Sequence, residues 1–456
     1  MGWIESLDEA RASGLAGAVL TFNTGDRVFC EREGGVQLAS LKYFLAAKYA
    51  AEGIRVGYYS LASRFTELSP QEHRGAAPSP FGQITAADNA LFVLRDLDPI
   101  LKDPDSHSVV VIDYAEHLAS AQLSGGAPVE QSALIEKLHD WSLDDDIKQS
   151  GNFIILISRE NALHHLVRHE SGYRMIAIDL PDATTRRAFT AYLLRIRAEG
   201  KLQHRLGDLG ADLPVEDFAR ITSGLRLSDI EELLCHAGGL KRPITRDGVR
   251  VRKRQTIDQL CHGLVEVIEP TEGFESVAGC RAAKEYFNAI KPLWLSGHGS
   301  LPQGILLAGT PGSGKSFLIK ALAMELGVPC LVMRGVREQW VGASERNMDR
   351  VLQVADSLAP CIFWTDELDQ QLGGERSSGP SGDSGVNGRL LGRILEFFGD
   401  SRIRGRILWL ATTNRPDLLD AAIKDRFSIK IPFLHPSRSE RAALLPVLAA
   451  QVGRAV

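Results

Sequence analysis

Eight residues constrain the fold more tightly than any other stretch of the chain: Gly309-Thr310-Pro311-Gly312-Ser313-Gly314-Lys315-Ser316, a complete GxxxxGK[ST]. An apolar, strand-like run at 305–308 precedes it and a helical pattern over 317–326 follows. The motif needs that setting, because a strand must deliver the chain to a tight loop and a helix must leave it. The glycines allow backbone N–H groups to converge on phosphate oxygens at a helix N-terminus, where the dipole favours an anion. Lys315 is then placed to lie between the β- and γ-phosphates of a nucleotide, and Ser316 to ligate Mg²⁺.

Two further strand-like runs end in polar side chains. Residues 361–364 lead through Thr365 into Asp366-Glu367, where Asp366 stands to hold the Mg²⁺ shell and Glu367 to polarise an attacking water. Residues 407–411 lead into Thr412-Thr413-Asn414. Ligands bind beyond the carboxyl ends of strands in open α/β sheets, so Asn414 can reach a γ-phosphate and the lytic water; the plainer role is a turn-capping Asn before Pro416. Three comparable runs occupy 18–22, 109–112 and 153–157, each apolar without alternation, as strands buried on both faces are. The fold class is α/β, with two P-loop-type parallel-sheet modules and helical lid subdomains.

In this order, the residues resemble the classical AAA group of AAA+ ATPases, closely over residues 274–436. FESVAGCRAAKEYF resembles the family's N-terminal segment, whose backbone contacts adenine near Val277, Ala278 and Gly279. QWVGASERN and ATTNRPDLLDAAIKDRF resemble its pore-loop and sensor regions. The resemblance implies ATP and Mg²⁺ as ligands, with Thr310 to Phe317 and Asp366 around the nucleotide. It also implies a homo-oligomeric ring, usually a hexamer, that hydrolyses ATP at subunit interfaces and pulls on polypeptide through aromatic pore loops. Trp340-Val341 stands at the pore position, the alternative being a core tryptophan. Two arginines reach the neighbouring subunit's site in the family; here only Arg426 fits the pattern, beside Lys424 and Asp425. Such an arginine is worth about 10³ to 10⁵ in rate, so losing one of two points to slow or partner-dependent hydrolysis.

The first half resembles the same module without its chemistry. VVVIDYAEHL puts Asp113 at a strand end, FIILISREN resembles the sensor strand, and FARITSGLRLSDIEELL resembles the lid helices. Yet the strand at 18–22 runs into Asn23-Thr24-Gly25-Asp26-Arg27, with no GK[ST], and no acid follows Asp113 directly. This half is expected not to hydrolyse ATP and to serve in scaffolding, ring assembly or recruitment. The tandem resembles double-ring AAA proteins with one inactive ring, and bacterial and plastid AAA proteins with a degenerate N-terminal half.

The expected organisation is a degenerate AAA-like domain at 1–180, a helical lid at 181–240, a linker at 241–273, the catalytic AAA domain at 274–435 and a partial lid at 436–456. In the lid, Ser228 and Glu231 form an S-x-x-E capping box, and Gly238 and Gly239 are expected to stop the helix. The basic run at 241–254 reads as a solvated linker or the start of a charged helix; its other reading is contact with a phosphate backbone. Residues 373–385 are Gly- and Ser-rich and read as a surface loop.

Composition narrows the partners. With 456 residues, 44% hydrophobic and 24% charged, the chain can build sizeable cores, which sets aside disordered and fibrous classes. Lys and Arg number 52 against 57 Asp and Glu, a formal charge of -5, so no nucleic-acid or membrane partner is expected. Six scattered cysteines in no metal-binding spacing read as reduced thiols of a cytoplasmic protein. The expected function is a Mg²⁺-dependent ATPase ring that remodels or translocates a protein substrate. The alternative is a nucleotide-gated assembly or scaffold protein with little turnover.

Overall fold

The computed structural model describes residues 2–32, 35–68, 79–84, 89–121, 128–159, 163–200, 206–261, 263–268, 272–295, 302–333, 345–371, 384–419 and 421–451. They form two compact units, one of Met1–Gly207 with Arg226–Leu240, the other of Asp208–Leu225 with Lys241–Val456.

The first unit holds β1 (Gly17–Phe22), β2 (Arg27–Arg32), β3 (Gly35–Ser40), β4 (Arg55–Ser60), β5 (Arg64–Glu67), β6 (Ser108–Asp113), β7 (Phe153–Ile157) and β8 (Arg174–Ile178). Its six-stranded sheet runs β5-β4-β6-β7-β1-β8, parallel except for the antiparallel edge strand β5. β2 and β3 pair separately as an antiparallel ribbon. The central strands β6, β7 and β1 are buried at every position, and apart from Thr21, Ser108 and Asp113 carry no polar side chain, because both faces are covered. Val19, Val110, Ile112, Ile154 and Leu156 join one core. Their neighbours Ala18, Leu20, Val109, Val111 and Ile155 join the other. Each such side chain contributes about 1.5–3 kcal/mol relative to exposure.

The second unit holds β9 (Val265–Ile268), β10 (Gly304–Gly309), β11 (Cys330–Met333), β12 (Cys361–Thr365), β13 (Ile407–Thr413) and β14 (Ile429–Phe433). Here the order is β14-β10-β13-β12-β11-β9, with β9 the antiparallel edge. Numbered by appearance, the five parallel strands of both sheets lie in the order 5-1-4-3-2. The registers agree as well: Leu20 is paired with Ile157 and Ile176, Leu307 with Thr412 and Ile431. Asp113 and Tyr114 therefore stand where Asp366 and Glu367 stand, and Arg159 stands where Asn414 does.

Three expectations need correction. In place of an irregular linker, residues 241–273 contain the helix Arg246–Leu260, which bears out the reading of 241–254 as the start of a charged helix, and the edge strand β9. Thr245 caps the helix by accepting from Gly248 N–H at 3.2 Å, and Val249, Lys253, Thr256 and Ile257 form its buried stripe. The cation at Lys253 conceals that helical period in the sequence. Its Nζ donates to Ser223 Oγ at 3.1 Å, while Arg246 pairs with Asp217 at 2.6 Å and Arg254 with Glu266.

Secondly, the lid expected at 181–240 has its helices, Ala183–Ala198, Val215–Ile221 and Leu227–Leu240, but Val215–Ile221 groups with the second unit and the other two with the first. Lastly, Gly238 and Gly239 lie inside that last helix, and Ser228 is already within its first turn. The first N–H groups are taken by Asp26, and Asp229 reaches back to Arg226 N–H at 3.1 Å.

Among the described residues no disulfide joins the six cysteines, and Cys30, Cys261, Cys330 and Cys361 are buried. Among the described residues no helix is long and apolar enough to cross a membrane. The end of the chain carries the single helix Arg438–Gln451, closed at its start by a reciprocal pair: Ser437 N–H donates to Glu440 Oε2 at 2.8 Å and Glu440 N–H to Ser437 Oγ at 3.2 Å.

Candidate active site

β10 ends in the loop 309–314, and the helix Lys315–Leu326 starts from it. The turn depends on glycine at two places. Gly312 has φ +75° and Gly314 φ +90°, and a Cβ on either would meet nothing within 4 Å, so the constraint there is backbone conformation alone. Lys315 is 7% exposed. Its ammonium donates to Gly309 O at 2.7 Å, Thr310 O at 2.8 Å and Asn414 Oδ1 at 2.9 Å, and no described carboxylate pairs with it directly. Burial pulls its pKa below the ordinary lysine value, opposed by the fields of Asp366, Asp369 and Glu367. A buried cation held by neutral oxygens fits a site that receives an anion.

The acids come from the next strand but one. Glu367 follows β12 in the left-handed region at φ +46°, an uncommon state for a side chain with a Cβ, and its N–H is held by Thr412 Oγ1 at 3.0 Å. Thr412 also donates to Asp366 Oδ1. Asp366 Oδ2 takes no hydrogen bond from a described residue, which leaves an oxygen of the hard type that Mg²⁺ prefers. Asn414 lies between the cation and the acid: Oδ1 accepts from Lys315, and Nδ2 donates to Glu367 Oε1 at 3.5 Å. Thus Lys315, Asp366, Glu367 and Asn414 share one hydrogen-bonded cluster at the carboxyl ends of β10, β12 and β13.

Other expected residues are placed differently. Thr310, Pro311 and Gly312 are exposed on the loop, Ser313, Gly314 and Ser316 are half-buried, and Phe317 packs against the core of the sheet. Val277 is buried in that core, and its carbonyl accepts from Lys284. Ala278 and Gly279 are half-buried beside it, with Gly279 at φ +74°. A Cβ on Gly279 would come 3.4 Å from Glu440 Oε1, so the C-terminal helix lies against this segment. Arg426 is outside the cluster, exposed at the end of the helix Ala421–Arg426 and near Gly399. Trp340 and Val341 lie outside the described residues, as does most of the loop expected at 373–385.

Sequence reasoning missed Thr412 and Asp369. Asp369, 6% exposed, accepts from Thr413 Oγ1 at 2.7 Å and from Asn414 N–H at 3.2 Å, both on Oδ1. Its signal was its place three residues after Asp366, as the second residue of the short helix Leu368–Gln371. Asp369→Ala removes the acceptor that orients Asn414. Turnover at saturating nucleotide is expected to fall about tenfold or more with nucleotide affinity nearly unchanged, while Asp369→Asn, which keeps an acceptor oxygen, restores most of it. Equal losses in both variants, or a loss of binding alone, would rule out this positioning role.

Three family models match the chain in succession. Residues 305–434 match the ATPase family associated with various cellular activities (AAA). Residues 2–179 match the AAA+ chaperone N-terminal Rossmann-like domain, and residues 184–262 the AAA+ chaperone second helical domain. The chain belongs to the AAA+ ATPases. Among curated relatives of this AAA+ chain, a cell division cycle protein 48 homolog of Archaeoglobus fulgidus is 27% identical over 389 residues, 77% of this chain and 49% of the relative. The ATP-dependent zinc metalloprotease FtsH of Corynebacterium glutamicum is 35% identical over 193 residues, 40% of this chain and 22% of that protein. The chain thus spans half or less of the length of these relatives. The match at 184–262 also runs through the helix Arg246–Leu260, in keeping with its removal from the linker.

Proposed function

We propose that the second unit binds ATP with Mg²⁺ and hydrolyses it, and that the chain works as a cytoplasmic homo-oligomeric ring, of hexameric type, remodelling or translocating polypeptide. The observation that carries this reading is the cluster of Lys315, Asp366, Glu367 and Asn414, in which a buried cation, two acids and a polar amide converge. Lys315 binds the β- and γ-phosphates together with backbone N–H groups of Thr310 and of Gly312 to Phe317, Pro311 lending only its shape to the loop. Ser316 and Asp366 hold the metal, which offsets charge on the phosphates when bound. Glu367 takes the proton of the attacking water, which Asn414 orients against the γ-phosphate. Val277, Ala278 and Gly279 border the adenine. Arg426, exposed and outside the cluster, is available to a neighbouring subunit's site.

The polypeptide reading rests on the matches to AAA+ chaperone domains and on Trp340-Val341 as an aromatic pore loop. Trp340→Ala is expected to abolish unfolding of a tagged test protein while leaving basal ATP turnover within about twofold, because a pore-loop residue serves substrate engagement and not the chemistry. Native mass measured with and without ATP is expected to show a ring with ATP. Remodelling that survives Trp340→Ala would remove the pore assignment; a monomer under both conditions would remove the ring. The second reading, a nucleotide-gated assembly protein, is favoured by the lone Arg426 and the first unit's lack of a P-loop.

A further inference from the structure

The first unit repeats the strand order and register of the second, so its own version of the site can be inspected position by position. After β1 the chain enters the loop 23–27 and then the ribbon β2–β3, where the second unit has its loop and helix. Two side chains fill that region.

Asp26 is 5% exposed and accepts four hydrogen bonds. Oδ1 takes Arg27 N–H at 2.8 Å and Ser228 N–H at 2.8 Å; Oδ2 takes Leu227 N–H at 2.9 Å and Asn23 Nδ2 at 3.1 Å. An anion therefore already sits on the loop, bonded to the first N–H groups of the helix Leu227–Leu240.

Arg159, standing where Asn414 does, reaches back across the strand ends. Its Nε and Nη2 form a forked pair with Asp113 at 2.9 and 2.7 Å, and Nη1 donates to Thr24 O at 2.7 Å. Asp113 also accepts from Tyr58 Oη at 3.0 Å and Tyr114 N–H at 2.9 Å. Burial works against the Arg159 charge, but the bonds and field of Asp113 outweigh it and raise the pKa above the ordinary arginine value. Tyr58 is pushed up to about 12 by burial and by Asp113. The acid that would hold a metal is neutralised from within. Moreover, Tyr114 keeps the left-handed turn of Glu367, at φ +55°, without its carboxylate.

We propose that the first unit carries a built-in replacement for nucleotide: Asp26 supplies the anion at the helix Leu227–Leu240, Arg159 supplies the cation at Asp113, and the helix is held against the loop with no nucleotide bound. A phosphate entering here meets the Asp26 charge in place of a lysine and finds the helix N–H groups taken. The unit is a permanently closed counterpart of the second one. The inference uses the reading of the second unit's loop as phosphate-binding only for the comparison; the contacts of Asp26 and Arg159 stand without it.

Hydrogen exchange on the full-length protein tests the latch. In wild type, amides of the helix Leu227–Leu240 are expected to exchange at the same rate with and without Mg-ATP. Asp26→Asn, which keeps the size but loses the charge, is expected to speed exchange in its first turn roughly tenfold or more, while β1, β6 and β7 stay protected. Exchange slowed by Mg-ATP in wild type, unchanged by Asp26→Asn, or raised evenly across the whole unit would overturn the proposal. Equilibrium binding of radiolabelled ATP to Lys315→Ala, at nucleotide concentrations well below the weakened affinity of the second unit, gives a check that does not depend on the Asp26 variant folding: no stoichiometric binding is expected there, and a tight stoichiometric site in this variant belongs to the first unit and refutes the latch.

Discussion

Lys315→Ala is expected to lower affinity for Mg-ATP by at least about 100-fold and to abolish turnover. The side chain is the one buried cation of the cluster, and its ammonium is held by Gly309 O, Thr310 O and Asn414 Oδ1, none of which neutralises it. Charge-assisted hydrogen bonds contribute about 1.5–3 kcal/mol each. Two such bonds to phosphate oxygens make roughly 3–6 kcal/mol, or about two to four decades of affinity. Stability should change little, since the exposed Thr310 carbonyl regains water and alanine is a good helix former at the start of Lys315–Leu326. Titration calorimetry with Mg-ATP, beside a melting curve, checks both. Affinity within about threefold of wild type would show that the phosphates bind elsewhere; a melting point lowered by tens of degrees would show that Lys315 supports the fold.

What the sequence revealed depended on how the signal was encoded. The six apolar runs appear as β1, β6, β7, β10, β12 and β13, each extended by at most two residues at either end, because central parallel strands are apolar on both faces. β11, apolar throughout, escaped notice because it has only four residues; others have one wet face or are interrupted. β14 alternates Ile429, Lys430, Ile431, and β8 opens on the exposed Arg174 and Met175. β4 has Gly57 in its middle, where a Cβ would strike Phe65.

The site was legible where the chemistry is local. Gly309 to Ser316 and Asp366-Glu367 are contiguous, and Asn414 closes a strand. Asp369 and Thr412 act through tertiary hydrogen bonds, which adjacency does not encode. The same cause hid Asp26: its partners lie some 200 residues away, at Leu227 and Ser228, so the sequence offered a local capping box at Ser228 while the fold used a distant carboxylate. The absence of GK[ST] in the first half could be read directly. What fills the gap could not.

Glu367→Gln separates binding from chemistry, and through that the two functional readings. Glutamine keeps the length of the side chain and an oxygen for Asn414 Nδ2, so the left-handed turn and its bond to Thr412 should persist. What it removes is the group able to take a proton from water. General-base catalysis is worth about 10²–10⁴ in rate, so kcat is expected to fall by that factor, roughly 3–5 kcal/mol of barrier. Affinity for Mg-ATP should stay within a few-fold, and ATP should remain trapped on the protein. Single-turnover hydrolysis with parallel binding measurements reads both quantities. Joint loss of binding and turnover would make Glu367 a structural residue. If wild type turns over no faster than Glu367→Gln, the force-generating ring falls, and nucleotide-gated assembly is left as the work of the second unit. A wild-type rate a hundredfold above that background requires the opposite conclusion, since a scaffold has no use for repeated hydrolysis.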